Sequence, residues 1–140
     1  MPFDRILVAI DGSQGAQRAL TKAIELAQLT GASLTALAVE GPLPAYAATI
    51  GEVDDVKRQK DAFFTQVGQA AREQAEGAGV KIDVDVRAGH AAELITSYAH
   101  DHGADLIVVG HKGHFLGDYL LGSTADRVAH HAHCPVMIVK

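Results

Sequence analysis

The sequence predicts an α/β fold built on a doubly wound, five-stranded parallel sheet, and three observations carry that prediction. Short apolar runs rich in β-branched residues recur at Ile6–Ile10, Leu34–Val39, Leu106–Val109 and Val136–Val139, and runs this short and this apolar read as strands buried on both faces. A fifth run differs: Val80, Ile82, Val84 and Val86 alternate with Lys81, Asp83, Asp85 and Arg87, so one of its faces meets water. Between successive runs lie segments whose apolar residues repeat at helical spacing. Strand–helix alternation of this kind implies right-handed crossovers and a parallel sheet with helices on both faces.

Each element has its own justification. After the first strand, Asp11-Gly12-Ser13 breaks the run, and Ser13 is placed to cap a helix with an apolar stripe at Ala16, Ala19, Leu20, Ala23, Ile24 and Ala27. Gly31 is its expected stop, because a glycine at that position adopts the left-handed conformation without steric cost. Beyond the second strand, the stretch from Gly41 to Gly51, with Pro42 and Pro44, reads as a loop at the carboxyl end of the sheet. A long second helix follows, with Val56, Phe63, Val67, Ala70, Ala71 and Ala78 as its expected stripe and Gly77 and Gly79 as its stop. The third helix runs from Ala91 through Leu94, Ile95, Tyr98 and Ala99, and the fourth carries Leu121, Ala125, Val128, Ala129 and Ala132. Strands one and four, apolar on both faces, belong in the centre, and the half-wet third strand belongs at an edge, giving the order 3-2-1-4-5. The winding then reverses between strands one and four, and in open α/β sheets the ligand crevice lies beyond the carboxyl ends of the strands at that reversal.

A chain of 140 residues, 48% hydrophobic and 21% charged, has the length and composition of one globular domain, so residues 1–140 are expected to form a single unit. A net charge of −5 without a basic stripe argues against nucleic acid or an anionic membrane as partner. Cys134 is the one cysteine, which leaves no intrachain disulfide or paired-cysteine metal motif and suits a reducing compartment. The amino-terminal residues run straight into a strand without a signal-peptide pattern, and no apolar run approaches a membrane span, so a cytoplasmic location is expected.

The stretch from Gly110 to Thr124 carries the ligand chemistry. It links the fourth strand to the fourth helix, its glycines let backbone N–H groups approach an anion, and the helix that follows presents unpaired donors and a positive dipole end. The bland alternative is a surface turn in which glycine merely serves positive φ. Topology and loop chemistry converge on one place, because Asp11 and Gly110 leave adjacent central strands.

Asp11 after the first strand, Gly110-x-x-Gly113 after the fourth, Gly122-Ser123 opening the last helix and His133-Cys134-Pro135-Val136 before the final strand together resemble the universal stress protein family over the whole chain. The resemblance implies a Rossmann-like fold, commonly homodimeric, with a branch that binds ATP through the pattern G-x2-G-x9-G-S/T. On these positions it implies that Asp11 hydrogen-bonds the nucleoside, that Ala9, Val39 and Val109 line the adenine pocket, and that Gly110, Gly113, Gly122, Ser123 and Thr124 hold the phosphates. ATP is the implied ligand, with or without Mg2+. The chain departs from the pattern in one respect: eight residues separate Gly113 from Gly122 where the family has nine. One residue spans up to about 3.3–3.6 Å, comparable to a hydrogen bond, so the deletion can shift a donor; Gly117 permits a tighter turn that offsets it. A nucleotide-free interaction protein on the same scaffold is the alternative that the shorter loop favours.

Other readings of the same residues carry less. His111-Lys112-Gly113-His114 matches a signature of nucleotidyl transferases, but it follows the fourth strand and not the first. No Walker lysine is present, and Asp118, the carboxylate within the loop, has no evident general base beside it, so dedicated catalysis is not expected. His130 and His131 are adjacent on a helix and point about 100° apart, so a shared metal site is not expected there. Cys134 reads as a small buried residue, Phe63 and Phe64 as cover for the sheet, and Tyr46 as either cover or a stacking partner for a base. The fully apolar run Val136–Val139 falls at an edge, where it is expected to pair with the same strand of a second copy about a two-fold axis.

Overall fold

The computed structural model describes residues 3–40, 50–111 and 121–140. Along the chain lie β1 (Arg5–Ile10), α1 (Gln14–Thr30), β2 (Ser33–Glu40), α2 (Ile50–Gly77), β3 (Ile82–Ala88), α3 (Ala91–Asp101), β4 (Leu106–Gly110), α4 (Ser123–His131) and β5 (Val136–Val139). The five strands form one sheet in the order β3-β2-β1-β4-β5, and all four pairings are parallel. The sheet is therefore the doubly wound arrangement expected from the sequence, with the winding reversed between β1 and β4.

Right-handed crossovers place α1 and α2 on one face and α3 and α4 on the other, and the core divides accordingly. Ile6, Val8 and Ile10 of β1 point into the first layer with Leu20 and Ile24 of α1 and Phe64 of α2. Leu7 of β1 points into the second with Leu37, Ile95, Ile107 and Val128. This period-two division is why β1 from Ile6 to Ile10 and β4 from Leu106 to Val109 are apolar at consecutive positions. Ile107 and Val108 of β4 are completely buried, so truncating Ile107 to alanine would cost about 2–5 kcal/mol.

The helix signals in α1 act as their chemistry requires. Ser13 has extended φ/ψ and its Oγ accepts from the Ala16 N–H at 3.1 Å, while Gly31, at φ 73°, donates its N–H to the carbonyl of Ala27. In α2 the buried face differs from the expected stripe. Phe64, Gly68, Ala71 and Ala75 are buried, whereas Ala70 is exposed and Phe63 is 48% exposed. The helix presents its smaller residues to the sheet because β3 comes close: a Cβ on Gly68 would lie 2.8 Å from a methyl of Val84. Ile50 and Gly51 belong to α2, not to the loop before it, while 41–49, including Tyr46, lie outside the described residues. Cys134 also departs from expectation, being half-buried.

Candidate functional site

The site is assembled at the carboxyl ends of β1, β2 and β4. Ala9 lies level with Leu37 of β2 in the sheet register, one residue beyond the Val8–Val108 pair. Ala9, Val39 and Val109 all join the apolar layer on the α3/α4 face, so three of the residues assigned to an adenine pocket do come together. Val39 and Val109 are buried and Ala9 is half-buried. Asp11, at the exit of β1, is half-buried, and its Oδ1 accepts the N–H of Ser13 at 2.8 Å. That bond fixes the carboxylate at the turn and leaves Oδ2 as an acceptor for a ligand hydroxyl.

Two helices begin at the reversal of winding, and they differ in how their amino ends are satisfied. The end of α1 is closed by its own chain, through the Ser13 side chain to Ala16 and the Ser13 carbonyl to the Gln17 N–H at 3.0 Å. The end of α4 has Gly122 at its cap, with extended φ/ψ and no side-chain hydrogen bond. A helix leaves its first N–H groups without intrahelical partners, so the first turn of α4, from Ser123 through Ala125, presents a positive dipole end and, among the described residues, donors that its own cap residue does not take up. Ser123 is exposed and Thr124 half-buried there. The third helix, α3, also lacks a side-chain cap at His90, but it follows the edge strand β3, away from the reversal.

The ends of the glycine loop are fastened to each other. The Gly122 N–H donates to the His111 carbonyl at 2.8 Å, and the His111 N–H donates to the Val139 carbonyl at 2.8 Å. His111 and Gly122 are thereby held together at the carboxyl end of the sheet, beside β5. Gly113, His114, Gly117 and Asp118 lie outside the described residues, and with them the region of the shortened spacing. Gly110 is held to glycine by packing, not by positive φ: a Cβ there would lie 2.7 Å from the carbonyl carbon of Gly15 and 2.8 Å from its oxygen. The first turn of α1 thus abuts the end of β4 backbone to backbone. Gly15, which makes this approach possible, carries no signal in the sequence beyond being a small residue two positions after a cap.

Glu40 is a second residue that sequence reasoning missed. It ends β2, is only 8% exposed, and its backbone carbonyl accepts the Gly89 N–H at 2.8 Å. Burial pushes its carboxyl above the usual range, a hydrogen bond to the Asp61 side chain and the nearby charge of Asp61 push it the same way, and Lys60 and Lys57 pull it down. The contact with Asp61 ties α2 to the carboxyl end of the sheet. A lone acid closing an otherwise apolar strand is the signal that could have found Glu40; its partner 21 positions along the chain is not legible without the fold.

The remaining polar candidates lie elsewhere. His130 donates from Nδ1 to the Asp126 carbonyl at 2.8 Å, and both His130 and His131 are exposed. Burial and then the charge of Asp105 push the Cys134 thiol up, so it is held as an uncharged thiol. Among the described residues, no group of three or more His, Cys, Asp or Glu side chains is arranged to hold a metal ion, and no helix is long and apolar enough to cross a membrane.

An open, parallel α/β sheet whose winding reverses between β1 and β4 defines the class of Rossmann-like, doubly wound proteins. The universal stress protein family model matches residues 2–140, and the chain belongs to that family. It is 30% identical over 147 residues to the universal stress protein YxiE of Bacillus subtilis, covering 99% of each chain. Among solved structures it superposes on the universal stress protein UspA from Lactobacillus plantarum with a TM-score of 0.86 at 30% identity, covering 99% of this chain and 98% of that one. A universal stress protein solved in complex with cAMP matches with a TM-score of 0.78 at 26% identity, over 100% of this chain and 99% of that one.

Proposed function

We propose that this protein binds an adenine nucleotide, ATP with or without Mg2+, at the carboxyl ends of β1 and β4, and that occupancy sets the state of a cytoplasmic, homodimeric stress-response protein without dedicated catalysis. The observation that carries the reading is the amino end of α4 at the winding reversal, where the Gly122 cap residue makes no side-chain hydrogen bond, set beside an α1 end that Ser13 closes. Of the two helix ends at that position, α4 is the one whose own cap residue takes up no donor, which suits an anion there. Ala9, Val39 and Val109 supply an apolar wall for the base, Asp11 an acceptor for the nucleoside, and Gly110, Gly113, Gly122, Ser123 and Thr124 the phosphate cradle. The relative solved with cAMP supports the class of ligand.

Native mass spectrometry of freshly purified protein, followed by calorimetric titration with ATP and magnesium, tests it. Co-purified nucleotide, or saturable ATP binding weakened at least tenfold in Gly122→Val, a loss of about 1.4 kcal/mol or more, is the expected outcome. A folded protein that carries no nucleotide and shows no heat with ATP would instead be the nucleotide-free interaction protein, the reading favoured by eight residues between Gly113 and Gly122 where the family pattern has nine. ATP supplied with candidate acceptors should release no pyrophosphate, since His111 and His114 are assigned no transfer chemistry.

A further inference from the structure

A second polar cluster lies at the opposite end of the sheet from the crevice. His100 sits in the last turn of α3, just before β4, and His133 lies between α4 and β5. Both are exposed, and their rings approach to 5.1 Å between centroids with planes tilted by 52°. Two neighbouring histidines are committed elsewhere: His102 stacks on Tyr98 at 3.8 Å and uses Nδ1 on the Tyr98 carbonyl, and His130 uses Nδ1 on the Asp126 carbonyl. His100 and His133 meet each other instead.

We propose that His100 and His133 form a two-imidazole site for a divalent transition metal, which would staple α3 to the segment leading into β5. The ring separation is the spacing such a site needs. A metal–nitrogen bond of about 2.0–2.1 Å, with roughly 1.1 Å more to the ring centre, puts each centroid about 3.2 Å from the ion, and two rings at a tetrahedral angle then lie about 5.2 Å apart. The setting favours a cation, because the negative dipole ends of α3 and α4 both point to this end of the molecule. Exposure leaves the remaining coordination positions to water. An imidazole pair follows the general order of divalent affinities, with Cu2+ bound more tightly than Ni2+ or Zn2+.

The test is calorimetric titration of tag-free protein with NiCl2 and CuCl2 near neutral pH, compared with His100→Asn, His133→Asn and the double variant His130→Asn/His131→Asn. One equivalent should bind the wild type with copper ahead of nickel, each single variant should weaken it at least tenfold, and the double variant should leave it unchanged. Amide NMR of the wild type with sub-stoichiometric Cu2+ checks the location independently of any variant. Broadening should centre on residues 100 and 133. No binding, broadening centred on 130 and 131, or single variants that bind like the wild type would overturn the assignment.

Discussion

Gly110 shows how much a single missing Cβ decides. Its glycine identity looked like a demand of ligand or φ, yet the structure gives it a packing reason that stands whether or not a phosphate is bound. Gly110→Ala would drive a methyl group to 2.7 Å from the backbone of Gly15, and backbone cannot rotate aside as a side chain does. Overpacking of this kind costs about 1–3 kcal/mol, so denaturant unfolding should show a loss in that range even without nucleotide. Gly12 makes a contrasting case. At φ 85°, with the Phe63 ring 2.7 Å from a Cβ placed there, Gly12→Ala meets both left-handed strain and a movable side chain. Pairing it with Phe63→Leu should recover the steric part and leave the conformational part, which is about 1–2 kcal/mol. At Ser13 the cap is directly visible, and Ser13→Ala should cost about 0.5–2 kcal/mol in the same measurement.

At the scale of elements, legibility followed how local the determining physics was. The start and stop of α1 were readable because Ser13 and Gly31 act on backbone groups within four residues of themselves. The strands were readable because period and β-branching are properties of a few consecutive positions. The buried face of α2 was not, since Phe63 and Phe64 compete for one place under the helix and the close approach of Val84 to Gly68 settles it from another strand. Asp11 and Gly110 could be placed at one crevice because topology brings strand ends together, Ala9, Val39 and Val109 were assigned to it only through the family resemblance, and the Glu40–Asp61 pair required the actual docking of α2 on β2. That pair has a pH consequence. Glu40 binds its proton more tightly folded than unfolded, so its contribution to stability is fully present below the ordinary value of 4.5 and is lost as pH rises through the higher folded value. Glu40→Gln keeps the hydrogen-bonding shape without the ionisation. Thermal unfolding should therefore show wild type losing stability relative to this variant on going from acidic to neutral pH; parallel curves would show that the fold does not hold the Glu40 carboxyl above its ordinary range.

For the whole molecule, the open question of physics is what covers β5. All four of its apolar residues are half-buried, short of the complete burial reached by Ile107 and Val108 one strand inward, and an apolar edge is a template for another strand. The register shows which groups are available. The Ile107 N–H bonds the Pro135 carbonyl and the His111 N–H bonds the Val139 carbonyl, so 135 and 139, and by alternation 137, direct their backbone toward β4. The N–H and C=O groups of Val136 and Ile138 then face outward. We propose that they pair antiparallel with the same strand of a second copy, and proline separates the inner ladder from the outer one because it deletes a single donor. Ile138→Pro should leave the β4–β5 hydrogen bonds in place and give a folded monomer by light scattering at micromolar concentration. Met137→Pro should break the β4 ladder and lower thermal stability, because its N–H is on the inner side. A wild type that is already monomeric, or an Ile138→Pro variant that stays dimeric, would mean that β5 is covered by something other than its own copy.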